Sequence, residues 1–424
     1  MAEAAATSRI PPPRLGPRPL PQHLLTAMLG WTSSLASWRI WSAASPESRP
    51  PLPESLAPLG LDLAKLDPEA FAAALEHETV ARLDRLAAGI VAYRAFPATR
   101  NLAPPPTVWQ EGTTRLLDFG ASSAVAGKRK TKHPLPAVLV VPSLINRAYV
   151  LDLDEDRSLM RFLATEGFAA YLLDWEAPGE IERGFTLSDY IAGRIDRALD
   201  AVAGREPGRP LLILGYCMGG LLALAAGQRR QRDLAGLVLM ATPWDFHAEH
   251  PEQARLIGAI GSVLEPILAQ LGEMPVDALQ SLFAGIDPFQ VVRKFLAFAD
   301  LDPASEKAKL FVALEDWLND GVPLAAPVAR ECLQGWYGEN APALRQWRVA
   351  GEAVDPTRID LPALVIVPDQ DRIVPPASAL ALANDLPHAD RLTPAAGHIG
   401  MVVGGSAKLK LWRPLADWMA RPPR

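Results

Sequence analysis

One cysteine of this chain stands among glycines, in Leu211-Leu-Ile-Leu-Gly-Tyr-Cys-Met-Gly-Gly220. The apolar run before it suits a buried strand, and the residues after it suit a helix. Gly215-x-Cys217-x-Gly219 has the spacing of a nucleophile elbow, with a thiol where a hydroxyl usually stands. A sharp strand-to-helix turn forces the nucleophile into strained dihedrals, and small neighbours let the two backbones approach. At the helix start, the Met218 N–H can face a developing oxyanion, while the helix dipole favours a Cys217 thiolate. Cys332, in Arg330-Glu-Cys-Leu-Gln334, lacks such a context and reads as packing.

Chains with this elbow place an acid and then a histidine after the nucleophile. Two histidines follow the apolar run Ala363-Leu-Val-Ile-Val367. His398 lies in Ala395-Ala-Gly-His-Ile-Gly400, a glycine-flanked loop that can project an imidazole. His388, in Leu386-Pro-His-Ala-Asp390, is polar-flanked and reads as surface. The acid should follow the 363–367 strand directly, as Asp369 or Asp371 of Pro368-Asp-Gln-Asp-Arg-Ile-Val-Pro375. Asp371, just before the Ile-Val-Pro turn, is preferred; Asp369 reads as a turn residue or a neighbouring charge. A second oxyanion donor should come from the turn Val141-Pro-Ser-Leu-Ile-Asn146, with Leu144 chosen and Ile145 next to it.

A thiol alters the energetics. An acyl group on Cys217 is a thioester, so accepting it from coenzyme A loses little free energy, and it can still esterify a hydroxyl. That favours acyl transfer over plain hydrolysis. Coenzyme A would then be part of the substrate and a released product, with no separate cofactor. No residues have metal-ligand spacing.

These side chains need a scaffold. Apolar runs at 137–141, 169–173, 211–214, 237–240 and 363–367 read as strands, and the first is apolar throughout, as a strand buried on both faces should be. Helical patterns lie between them, at 158–166, 187–202 and from 221. Thr114 to Phe119 reads as an early edge strand, and Arg391-Leu392 as part of a last one. Such alternation predicts an α/β fold, a mostly parallel sheet with helices on both faces. From about Trp244 strands give way to helices, as in a cap that shapes a substrate pocket. The expected order is a disordered Pro-rich arm (1–23), a helical N-terminal domain (24–104), core (105–243), helical cap (244–355) and core again (356–424).

The N-terminal stretch lacks the charged start and apolar core of a signal peptide. Leu24 to Trp41 is too interrupted to span a bilayer, so no transmembrane segment is expected. Trp31, Trp38 and Trp41 share one helical face, which suits packing within the domain or contact with a lipid or polymer surface. Prolines crowd 46–58 as in a linker, and Asp67-Pro68-Glu69 opens a helix. The chain has 424 residues, 42 basic and 48 acidic, a net charge of −6. A broad nucleic-acid surface is therefore not expected. Only 2 cysteines rule out a disulfide scaffold and suit a reducing cytoplasm. The basic run Lys128-Arg-Lys-Thr-Lys132 reads as a solvated loop, with coenzyme A phosphates as its alternative partner.

Together the motifs resemble the polyhydroxyalkanoate synthase family, whose Gly-x-Cys-x-Gly-Gly box is matched by Gly215, Cys217, Gly219 and Gly220. Similar too are Val141–Leu153, Asp174-Trp175, Thr186–Ile191, Trp317–Gly321, Asp371–Pro375 and Gly397–Ile399, and the resemblance covers roughly residues 105–420. It implies the α/β-hydrolase fold and transfer of 3-hydroxyacyl groups from coenzyme A to a polyester chain. Cys217 would carry the chain and His398 act as base; Asp371 would orient His398 or help activate the incoming 3-hydroxyl. It also implies dimers at the surface of cytoplasmic polymer granules, in some members with a second synthase subunit. Intracellular depolymerases share the fold, the cysteine and the Asp174-Trp175 and Ser188-Asp-Tyr190 segments. Their box lacks the Gly-Gly of 219–220. A Cys-nucleophile depolymerase or thioesterase is the alternative.

Overall fold

The computed structural model describes residues 13–45, 47–49, 54, 62–63, 65–97, 100–120 and 134–421. Most of the expected linker at 46–58, and the basic run at 128–132, lie outside the described residues. The elements used below, in chain order, are α1 (Leu20–Ala43), α2 (Pro68–Ala95), β1 (Thr107–Glu111), β2 (Thr114–Asp118), β3 (Ala137–Val141), α3 (Leu159–Glu166), β4 (Ala169–Asp174), α4 (Asp196–Arg205), β5 (Leu211–Tyr216) and α5 (Met218–Arg229). After them come β6 (Gly236–Met240), α6 (Pro251–Leu271), α7 (Gln290–Ala299), α8 (Glu306–Asn319), β7 (Ala363–Ile366) and β8 (Ala389–Leu392).

The chain divides into two units, 1–99 with 283–319, and 100–282 with 320–424. In the first, α2 starts as its sequence dictates: Asp67 Oδ1 accepts the Ala70 N–H at 2.7 Å, and Pro68 occupies the first turn. Leu86, Ile90 and Tyr93 of α2 share a core with Val292, Phe295 and Phe298 of α7 and Val312 of α8. The helices touch closely at Gly89, where a Cβ would lie 2.3 Å from the Phe295 carbonyl oxygen. Trp38 is buried, donates to Pro68 O at 3.0 Å, and meets Trp41 and Phe71. It is thus turned to its own unit rather than to an outside surface.

Two boundaries differ from expectation. The helical block 244–355 is divided, because 283–319 packs with α1 and α2; helical period marks an apolar face but not the core that receives it. The described part of the N-terminal arm has bonded partners. Arg14 pairs with Asp316 at 2.6 Å, Arg18 N donates to Asn319 Oδ1 at 2.8 Å, and α1 already begins at Leu20.

The second unit carries one eight-stranded sheet, in the order β1-β2-β4-β3-β5-β6-β7-β8. Strands β3 to β8 run parallel, and β2 is antiparallel to both β1 and β4. This is the α/β-hydrolase fold. β2 is not the expected edge strand: β1, Thr107-Val-Trp-Gln-Glu, lies outside it. Every residue of β3, β5, β6 and β7 is buried, as expected of strands covered on both faces. Between β3 and β4, Ser158 caps α3 by accepting the Arg161 N–H, and Gly167 ends it at φ +106°. The helix expected over 187–202 is a π-helical stretch, Asp189–Ile195, that runs into α4.

α6 is 21 residues long with a mean hydropathy of 1.3, sufficient in length and composition to cross a membrane, and only 11% of that window is buried. No such segment was expected. Its interruption by Glu252, Arg255, Glu265 and Pro266, and its packing of Gly258 against Gly338, make this weak evidence of a span.

Candidate active site

β5 ends at Tyr216, and the chain turns into α5 through Cys217, whose φ of +57° and ψ of −128° are those of a strained elbow. The Cys217 N–H donates to Met240 O at the end of β6 (2.8 Å), and its carbonyl accepts from Gly220 N (2.9 Å). Both flanking glycines are required by close approach. A Cβ on Gly219 would lie 2.1 Å from Val141 O, and one on Gly220 would lie 1.8 Å from Thr242 Oγ1. The thiol is half-buried rather than enclosed.

Asp371 follows β7 by five residues. Its Oδ1 accepts the N–H groups of Ile373 and Val374, each at 2.9 Å. Its Oδ2 lies 2.6 Å from His398 Nδ1, and neither side chain is appreciably exposed. The two loops are tied together: Asp369 N donates to Pro394 O at 3.2 Å and Gln370 N to Ala396 O at 3.1 Å. The Asp369 side chain itself points to solvent.

Burial would hold the His398 ring neutral. The negative charge of Cys217, the hydrogen bond to Asp371 and a hydrogen bond with Cys217 outweigh it and push the ring's pKa up to about 10. The structure thus brings Cys217, His398 and Asp371 into one relay of sulfur, imidazole and carboxylate. Such a relay can supply a thiolate and can move a proton to a leaving group or from an attacking hydroxyl. His388 lies elsewhere. It is exposed and lines a cavity of about 410 Å³ with Pro136, Pro210 and Pro362, which precede β3, β5 and β7 at the opposite end of the sheet.

Met218 is the first residue of α5, so its N–H has no acceptor within the helix. The turn after β3 abuts that helix start at Gly219. Within the turn the Ile145 N–H donates to Ser143 Oγ at 3.2 Å, which leaves Leu144 as the better choice of donor.

Two tyrosines went unnoticed in the sequence. Tyr216 is the variable residue of the elbow. It is buried, its hydroxyl donates to His398 O at 3.1 Å, and its ring stacks on the imidazole with centroids 5.2 Å apart. Tyr337 comes from the far helical segment and packs edge-on against Phe246, with His247 bonded to its carbonyl oxygen. Burial and then the charge of Cys217 hold its phenol above the ordinary range. Spacing could reveal neither. Among the described residues, no cluster of three or more His, Cys, Asp or Glu could hold a metal.

A family model described as serine aminopeptidase, S33, matches residues 156–282. The chain is 31% identical over 325 residues to the poly(3-hydroxyalkanoate) polymerase subunit PhaC of Thiocystis violacea, covering 75% of this chain and 88% of that protein. It is 30% identical over 331 residues to the protein of that name from Synechocystis sp., covering 76% and 85%. It is 30% identical over 320 residues to the one from Haloferax mediterranei, covering 75% of this chain but 64% of that longer protein.

Proposed function

The chain belongs to the poly(3-hydroxyalkanoate) polymerase family, and we propose that it polymerises 3-hydroxyacyl groups delivered as coenzyme A thioesters, with Cys217 as the acyl carrier. The Cys217 thiolate attacks the thioester carbonyl. The oxyanion that forms is received by the Met218 and Leu144 amides. The C–S bond to coenzyme A breaks, and the leaving thiolate takes the proton held by His398. A 3-hydroxyl then attacks the Cys217 acyl thioester. His398 accepts the hydroxyl proton, an ester C–O bond forms, and the Cys217 sulfur is released to load again. Asp371 holds the ring by Nδ1, so that Nε2 faces the chemistry, and stabilises its charged form. Coenzyme A enters with the substrate and leaves as product.

The observation that carries this reading is the elbow itself: a strained cysteine with His398 as its partner and Asp371 behind. An acyl-cysteine keeps the free energy of a thioester, which suits onward transfer to a hydroxyl. Several relatives are named as subunits, so the proposal includes activity that rises with a second subunit. A cytoplasmic location at a polymer surface, with two copies of the chain, completes the reading. The test is incubation with 3-hydroxybutyryl-coenzyme A. Free coenzyme A together with polymer is expected; free hydroxy acid alone would identify a thioesterase instead.

A further inference from the structure

The segment after β3 is held from several sides. Trp175, directly after β4, is buried, and its indole Nε1 donates to the Pro142 carbonyl at 3.0 Å. The indole is braced edge-on by Tyr190 (centroids 5.5 Å apart), which in turn meets Phe185 edge-on (5.3 Å). Farther along, Arg147 pairs with Glu176 and, at 3.3 Å, with Asp320. Glu176 sits at φ +54°, a left-handed conformation that a side chain adopts only under constraint, and Arg115 holds it from β2. Val322 N closes the ring by donating to Ile145 O at 3.3 Å. On the inner side Gly219 presses against Val141 O.

Pro142 has no N–H, so its carbonyl is the only backbone group through which the residue can be anchored. An indole N–H is a donor only, and here it is fixed by the packing of the ring. Turning the Pro142–Ser143 peptide plane would redirect the amides that follow. We propose that Trp175 is a positioning residue for the oxyanion side of the site: its N–H fixes the Pro142 carbonyl and thereby aims the Leu144 amide at the carbonyl attacked by Cys217. The inference rests on the reading of Cys217 as nucleophile and Leu144 as donor. The Arg147–Glu176 pair is the outer brace of the same turn.

Trp175→Phe keeps an aromatic ring against Tyr190 and removes the donor. With 3-hydroxybutyryl-coenzyme A, its kcat should fall roughly tenfold to a hundredfold, as expected when a catalytic group is displaced. KM should stay within about twofold, the sign of an interaction made in the transition state. Alkylation of Cys217 by iodoacetamide should keep the wild-type pH profile, because thiolate formation belongs to His398 and Asp371. Arg147→Met should show the same pattern with a smaller loss. A folded Trp175→Phe with wild-type kcat overturns the inference, as does an alkylation profile that shifts along with kcat. If Trp175→Phe does not fold, an unchanged kcat in Arg147→Met overturns it. Wild-type turnover by Cys217→Ala would instead overturn the underlying reading.

Discussion

His398 Nδ1 and Asp371 Oδ2 meet at 2.6 Å, while the other oxygen of the same carboxylate is held by two backbone amides. The carboxylate is therefore fixed independently of the ring. Asp371→Asn keeps the shape but offers an N–H or a neutral oxygen to Nδ1. It should lower kcat on the order of 10²–10⁴-fold, as loss of the orienting acid does in hydrolytic triads. Steady-state release of coenzyme A checks this, and a loss below threefold would remove Asp371 from the relay.

The charge on His398 also sets a pH dependence of stability. Its pKa rises from 6.5 to about 10 on folding, against the effect of burial and chiefly through the charge of Cys217. Between those values His398 holds a proton in the folded chain that it has lost in the unfolded one. The resulting stability is complete below the lower value and is lost as pH climbs through the window. Thermal midpoints should fall as pH rises from 6.5 to 10, and less steeply in Cys217→Ala, which lacks the main raising charge. Parallel curves for the two proteins would contradict this assignment.

Gly219→Ala sets two effects against each other. Alanine is the better helix former by about 0.8–1.0 kcal/mol. Its Cβ, however, would sit 2.1 Å from a backbone oxygen of β3, so the two backbones must move apart. Overpacking of this kind costs about 1–3 kcal/mol, so the variant should be less stable than wild type in urea. It should also lose kcat, because the oxyanion turn is displaced from the start of α5.

Asp152 offers a prediction away from the chemistry. Its carboxylate is 2% exposed and accepts from Arg161 Nε at 2.7 Å and Arg100 Nη2 at 2.9 Å. Removing it takes the carboxylate from both guanidinium groups and leaves them backbone carbonyls alone, Asp152 O for Arg100 and Ala103 O for Arg161. Because the arginines remain about a third exposed, Asp152→Ala should cost roughly 2–3 kcal/mol rather than the full price of a buried pair. The urea midpoint should drop at constant slope.

Much of the sheet was legible because β3, β5, β6 and β7 are buried on both faces and carry unbroken apolar runs. Cys217 stood out because close backbone contacts demand glycines at fixed offsets. Asp371 and His398 followed from chain order, although Asp369 differed from Asp371 only in its place before the turn. What escaped depends on distant packing. Tyr216 occupies a motif position open to any residue, and Tyr337 packs on Phe246 from across 91 residues of sequence. The helical period of α7 gave no sign that Phe295 would pack against Gly89. Trp31, Trp38 and Trp41 announced an apolar face but not its partner, which for Trp38 is Phe71 and the carbonyl of Pro68.

The central claim is that Cys217 carries the acyl chain. Rapid quenching of the enzyme with 3-hydroxybutyryl-coenzyme A, followed by mass analysis of its peptides, tests this directly. A hydroxylamine-sensitive 3-hydroxybutyryl adduct is predicted on the peptide that contains Cys217, formed as coenzyme A is released and missing from Cys217→Ala. Coenzyme A release by Cys217→Ala at the wild-type rate, or an adduct on any other residue, would contradict the account.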